Sequence, residues 1–121
     1  MRKAGQIAIA RFPTVALTQG KPRPVLLLSS LPGLYDDWLV CMISTQLQQA
    51  VSEFDETIDM AGPDFPGSGL KVASIIRIAR LAVTPADLLV GAIGEISSER
   101  LQRIRWKLAV WIQSGEIPKS P

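Results

Sequence analysis

Two unbroken apolar runs, Val25-Leu26-Leu27-Leu28 and Trp38-Leu39-Val40-Cys41-Met42-Ile43, flank the turn residues Leu31-Pro32-Gly33. Neither run alternates with polar residues, so each reads as a strand covered on both faces rather than one lying on a surface. A polar loop punctuated by Gly20 and Pro22 precedes the first run and delivers Arg23 into its start. The second run ends in hydroxyls and an amide, Ser44-Thr45-Gln46. A guanidinium held at a strand edge is a fixed cation with five donors, suited to phosphate. The chain contains no histidine, so any phosphodiester chemistry here must work by placed charge and hydrogen bonds, and a Ser-His-Asp triad is excluded.

The remaining chain extends the β pattern. Ile7 and Ile9 alternate with Ala8 and Ala10 before Pro13, which reads as a first strand ended by proline, and Thr14 to Pro22 reads as a loop. Gln46 to Asp55 is polar and irregular; Glu56 to Met60 reads as a short edge strand whose charges blunt the edge. Ala61 to Gly69 is a glycine- and proline-rich loop, and Leu70 to Val83 returns to strand character with a break near Ala73-Ser74. On a regular strand Arg77 and Arg80 point to opposite faces, because their spacing is odd, so only one of them lines a given site. Thr84 to Asp87 makes a turn or short helix start, and Ala92 to Ile96 one more strand. From Ser97 a helix is expected: Leu101, Ile104, Leu108 and Trp111 form one stripe, Ser97 or Ser98 caps it, Glu99 suits its positive end, and Gly115 and Pro118 stop it. Trp106 lies off that stripe. Short strands, turn-rich joints and one terminal helix predict a mainly β fold, a β-barrel with helical cover.

At 121 residues the chain is sized for one domain, residues 1–121, with 116–121 expected to be a loose tail. Hydrophobic residues make up 47% and the mean hydropathy is +0.22, which fits either a well-filled core or an apolar subunit interface. A net charge of +2 permits an anionic partner without demanding one. The cations Arg100, Arg103, Arg105 and Lys107 read as a solvated helix face. Cys41, alone within an apolar run, reads as a buried small hydrophobe, consistent with a reducing cytoplasm. No stretch is long and apolar enough to span a bilayer, so a soluble cytoplasmic protein is expected.

Other clusters carry less. Asp36-Asp37 and Glu53-x-Asp55-Glu56 have no recognisable metal-ligand spacing and read as solvated loops, so neither metal nor cofactor is expected. Gly62 to Gly69 fits neither phosphate-cradling glycine motif, and Ser29-Ser30 lack a nucleophile-elbow context.

The order of the motifs says more than any one of them. The stretches Gly5 to Pro13, Lys21 to Ser30, Asp37 to Leu47, Gly69 to Leu81 and Gly94 to Ser97 with the helix after it stand in the order found in MazF/PemK toxins. The chain resembles that family of small endoribonucleases from type II toxin–antitoxin systems. The resemblance implies an SH3-like barrel with a C-terminal helix, the MazF/CcdB-type toxin fold, together with a homodimer, single-stranded RNA as substrate and an antitoxin protein as partner. It also implies that Arg23 is catalytic and that Ser44, at the place where a threonine is usual, is the second catalytic residue. Expected substrate-binding residues around them are Thr18, Gln19, Lys21, Thr45, Gln46, Arg77 and Arg80. The implied reaction is attack by the ribose 2′-OH, without a metal, leaving a 2′,3′-cyclic phosphate and a 5′-OH.

One departure keeps a second reading open. Many members carry an acid in the loop before the arginine, whereas this chain has Leu17-Thr18-Gln19-Gly20. With Ser44 in the threonine's place, that departure favours a non-catalytic binding protein on the same barrel, similar to the gyrase-poisoning CcdB toxins or kept only to bind its antitoxin. The retained Arg23-Pro24 and Ser44-Thr45-Gln46 favour the nuclease.

Overall fold

The computed structural model describes the backbone of residues 2–13 and 19–119 and, outside residues 11–21, their side chains. Strands β1 (Gln6–Pro13), β2 (Gln19–Ser30), β3 (Asp37–Ser44), β4 (Glu56–Ile58), β5 (Ser74–Pro85) and β6 (Gly91–Glu95) form one sheet in the order β4-β5-β3-β2-β1-β6. All five pairings are antiparallel. Helix α1 (Phe65–Ser68) follows β4, and helix α2 (Ser98–Ser114) ends the fold. The architecture is the expected mainly β one: a curled antiparallel sheet with a C-terminal helix.

β2 is longer than its apolar run suggests. Gln19 and Pro22, expected as loop, pair with Pro13 and Arg11 of β1, across a shift in register. β3 pairs with β2 only from Val25 onward. Pro22 and Pro24 therefore lie on a stretch of β2 that has a partner on one side only, where a missing N–H costs no ladder bond. The two prolines thereby keep that edge open.

The apolar runs are covered on both faces, as their lack of alternation requires. Leu26, Leu28, Cys41 and Ile43 join Ile7, Ile76 and Ile78 in a core closed by Ile104 and Leu108 of α2. Val25, Leu27 and Val40 face the other way and pack with Ala8, Ala10, Trp38 and Leu89. Burial pushes the Cys41 thiol far above its ordinary range, as expected of an inert core residue.

The segment after β4 crosses to β6, the strand at the other edge of the sheet. α1 packs against β6, and a Cβ at Gly94 would collide with the backbone of Gly67 and Ser68. Gly69, at φ 74°, faces the Ile93 carbonyl so closely that a Cβ there would strike it. The glycines of this loop thus close the barrel.

α2 is capped by Ser97, whose Oγ accepts the Arg100 N–H at 3.2 Å, and ends at Gly115 in the left-handed conformation. Two expectations about charge fail here. The cations on α2 are not simply a solvated face, and Glu56 does not blunt an exposed edge. Glu56 is buried and accepts from Arg100, Arg103 and Lys107 at 2.8, 2.6 and 2.8 Å. Arg100 reaches on to Asp64 at 2.7 Å, tying the loop before α1 to the helix. Burial alone raises the Glu56 carboxyl, but the hydrogen bonds and charges of Arg103 and Lys107 outweigh it and bring it down to about 2. The hydrogen bond from Arg100 likewise holds Asp64 below its ordinary range. Arg105 has a different task. The register of β2 on β3 slips between Leu27 and Ser29, and Arg105 donates to the freed Leu28 carbonyl at 3.0 and 2.7 Å.

Beyond α2, Pro118 is buried within the segment expected to be loose. No helix among the described residues is long and apolar enough to cross a membrane.

Candidate functional site

Arg23 sits on the open stretch of β2, and Ser44 ends the neighbouring β3. Together with Ile43 they form a wall shared by two adjoining depressions. The first, about 510 Å³, is largely apolar, lined by Ile9, Pro22, Pro24, Leu70, Val72 and Ile93, with Thr45 and Lys71 at hand. The second, about 420 Å³, is polar, lined by Gln46, Gln49, Arg77 and Arg80. No carboxylate lines either depression among the described residues.

Arg77 and Arg80 both face the second depression, contrary to the strand-parity expectation. The reason is a break in register. Cys41 pairs with Leu81 but Met42 pairs with Arg77, so Ile78, Ala79 and Arg80 have no partners on β3. This bulge resets the alternation and turns both guanidiniums the same way. The Ile78 N–H freed by the bulge donates to Asp55 Oδ1 at 3.0 Å, and Val51 N–H donates to Asp55 Oδ2 at 2.9 Å. The Asp55 side chain is only 2% exposed. Asp55 is therefore a structural anchor, not part of a solvated acidic loop. Arg77 is braced from below, with Nη1 donating to Gln49 Oε1 at 3.1 Å and Nε 3.9 Å from Asp55 Oδ2.

Ser44 Oγ accepts the Gln46 N–H at 3.0 Å, which fixes the hydroxyl oxygen and leaves its own hydrogen to donate into the cleft. Gln48 Nε2 donates to Gln46 Oε1 at 3.0 Å, holding that amide in place. Thr45 lines the apolar depression and Gln46 the polar one, one on each side of Ser44. Thr18 lies outside the described residues. Gln19 and Lys21 belong to β2, but their side chains lie outside the described set. A cationic wall with a placed hydroxyl and no acid can bind and polarise an anion such as a phosphodiester.

The sequence profile of the PemK-like, MazF-like toxins of type II toxin–antitoxin systems matches residues 3–112. The chain belongs to this toxin family. Toxin MazF-mt6 of Mycobacterium tuberculosis has a similar fold, with a TM-score of 0.64 and 20% identity over 89% of this chain and 96% of that one. Among curated proteins no sequence match reaches significance.

For a PemK/MazF-like toxin, the site holds more than the motifs suggest. Lys71 and Gln49 were missed by sequence reasoning. Lys71 sits in a stretch that reads as the start of a strand, whereas β5 begins only at Ser74. Gln49 belongs to a short 3₁₀ turn, Leu47–Gln49, within a segment that carries no pattern. A further groove, about 720 Å³, lies elsewhere, along α2 between Trp106 and Pro118. Trp106 is 40% exposed there. Among the described residues no cluster of three or more His, Cys, Asp or Glu side chains is placed to hold a metal.

Proposed function

We propose that this toxin cleaves single-stranded RNA without a metal, using Arg23 and Ser44. The observation that carries the reading is their convergence on one wall between an apolar and a polar depression. The scissile phosphate lies against that wall, and a neighbouring base rests against Leu70, Val72 and Ile93. The ribose 2′-OH attacks phosphorus. The O2′–P bond forms, the P–O5′ bond breaks with its electron pair going to O5′, and a 2′,3′-cyclic phosphate and a 5′-OH result. Water takes the 2′-OH proton and returns one to O5′. Arg23 and the Ser44 hydroxyl stabilise the charge that grows on the phosphoryl oxygens; each such donor is worth about 2.7–4 kcal/mol. Arginine stays protonated, so Arg23 acts by charge and not as a base.

The family relationship supports a homodimer, a cytoplasmic setting and an antitoxin whose acidic segment competes with RNA for the cationic depression. The exposed Leu34, Tyr35, Leu88 and Val90 offer apolar surface for such contacts. A binding-only role is the second reading, favoured by the absence of a carboxylate from the described lining. The two separate on an RNA carrying one 2′-deoxy residue immediately 5′ of a mapped cut. The nuclease reading requires that single cut to vanish while others persist. A cut that survives the deoxy substitution contradicts it.

A further inference from the structure

The polar depression asks for more anion than the cleaved phosphate supplies. Arg23, Arg77 and Arg80 converge on about 420 Å³ of space, and among the described residues only one buried carboxylate, Asp55, lies near them. Asp55, one charge against three, offsets the group only in part. Its two oxygens already accept the backbone N–H groups of Ile78 and Val51, and its distance to Arg77 Nε, 3.9 Å, is too long for a hydrogen bond. Arg77 Nε is accordingly buried without a partner among the described residues, while the side chain as a whole is 18% exposed. Like charges gathered in this way repel, and the bulge that gathers them gives up three ladder positions on β5. Guanidiniums gathered this way offer an anion charged two-point hydrogen bonds.

We infer that the polar depression is a second phosphate subsite, in which Arg77 and Arg80 clamp the backbone phosphate next to the one cleaved. The inference rests on the reading of this site as an RNA groove. The two depressions differ in a way that gives the subsite a side. Among the described residues Lys71 is the single cation lining the apolar depression apart from Arg23, whereas two further guanidiniums line the polar one. Phosphates recur at every nucleotide, so a strand with its scissile phosphate at Arg23 carries the next one into one depression or the other. Guanidinium forks bind phosphate in two-point fashion, and Gln49 fixes the plane of Arg77 by its hydrogen bond at 3.1 Å. Arg77 and Arg80 are thus specificity-determining residues. They fix which linkage sits at Arg23 and make a flanking phosphate a requirement of the substrate.

The test uses full-length protein and a 2′-O-methyl single-stranded oligonucleotide, which cannot be cut. Its affinity is measured across a salt series for wild type, Arg80→Gln and Arg77→Gln. Arg80 is exposed, so Arg80→Gln retains the fold and carries the test if Arg77→Gln does not fold. Each substitution should flatten the slope of log affinity against log salt by about 0.7, the loss of one single-strand phosphate contact. A second arm places a neutral methylphosphonate linkage beside the cut of a cleavable RNA. Wild type should lose about ten- to hundred-fold in kcat/KM with the neutral linkage on one side only. Arg80→Gln should lose little more from it. Unchanged salt slopes, or equal sensitivity of both proteins to the neutral linkage, overturn the subsite. A flattened slope in a protein that cuts nothing keeps the phosphate clamp and removes the nuclease reading. Failure of wild type to bind at low salt overturns both.

Discussion

Asp55 Oδ1 accepts the N–H of Ile78 at 3.0 Å, so a carboxylate from the segment before β4 holds open the bulge of β5. The same residue lies beneath Arg77. Removing it, as in Asp55→Ala, strands the part-buried N–H of Ile78 and leaves the exposed N–H of Val51 to water. The first costs about 1–3 kcal/mol. Urea denaturation should show a loss within that range or above it, and RNA affinity should fall as Arg77 and Arg80 lose their common orientation. Asp55→Asn keeps one acceptor and should recover part of the stability. A variant as stable as wild type contradicts the anchoring role.

Glu56 makes the fold sensitive to acid. Its folded value, about 2, lies below the ordinary 4.5, so the unfolded chain binds the extra proton first. The stabilisation, on the order of 3 kcal/mol, is fully present above about pH 4.5 and is lost as the pH falls through about 2. Glu56→Gln leaves Arg100, Arg103 and Lys107 without their shared carboxylate and should cost about 3–5 kcal/mol at neutral pH. The gap between variant and wild type should narrow as the pH is lowered toward 2, a trend that thermal melts at several pH values will register. A gap that stays constant with pH rules out the charge as its source.

Ser44 is expected to act through its hydroxyl hydrogen, its oxygen being held by Gln46 N–H. Ser44→Ala should lower kcat roughly 10²–10³-fold with little change in KM, and Ser44→Thr should retain most of the rate. An alanine variant with wild-type kcat removes Ser44 from the mechanism.

Closure of the barrel depends on Gly69. Gly69→Ala places a Cβ against the Ile93 carbonyl at a positive φ of 74° and should cost more than about 1 kcal/mol. Because Leu70, Lys71 and Ile93 line the apolar depression, the same variant should raise KM for RNA. Gly33→Ala supplies the contrast: its φ is also positive but no atom lies nearby, so it should alter stability without touching KM.

The strands that were legible in the sequence were those whose apolar runs had no alternative. Val25 to Leu28 and Trp38 to Ile43 fixed the centre of the sheet, and the stripe through Ile104 and Leu108 fixed the helix that covers it. Arg23 and Ser44 were named as site residues only through the resemblance of the motif order to the toxin family; strand position alone did not single them out. What escaped was charge in the service of backbone. Asp55, Arg105 and Glu56 look solvated in sequence, yet two of them satisfy groups freed by bulges and the third gathers the cations of α2. A bulge shifts register without leaving a compositional trace, so strand parity placed Arg77 and Arg80 apart when the fold brings them together. Lys71 and Gln49 became visible only once the curl of the sheet carried their segments to the Arg23 wall.

The most direct measurement compares wild type with Arg23→Ala on a long single-stranded RNA in EDTA, with the termini of the products analysed. The account predicts discrete fragments from wild type alone, ending in 2′,3′-cyclic phosphate and beginning with 5′-OH, and a rate at least about a hundred-fold lower for the variant. Equal cleavage by the folded variant, or intact RNA with folded wild type, would contradict it.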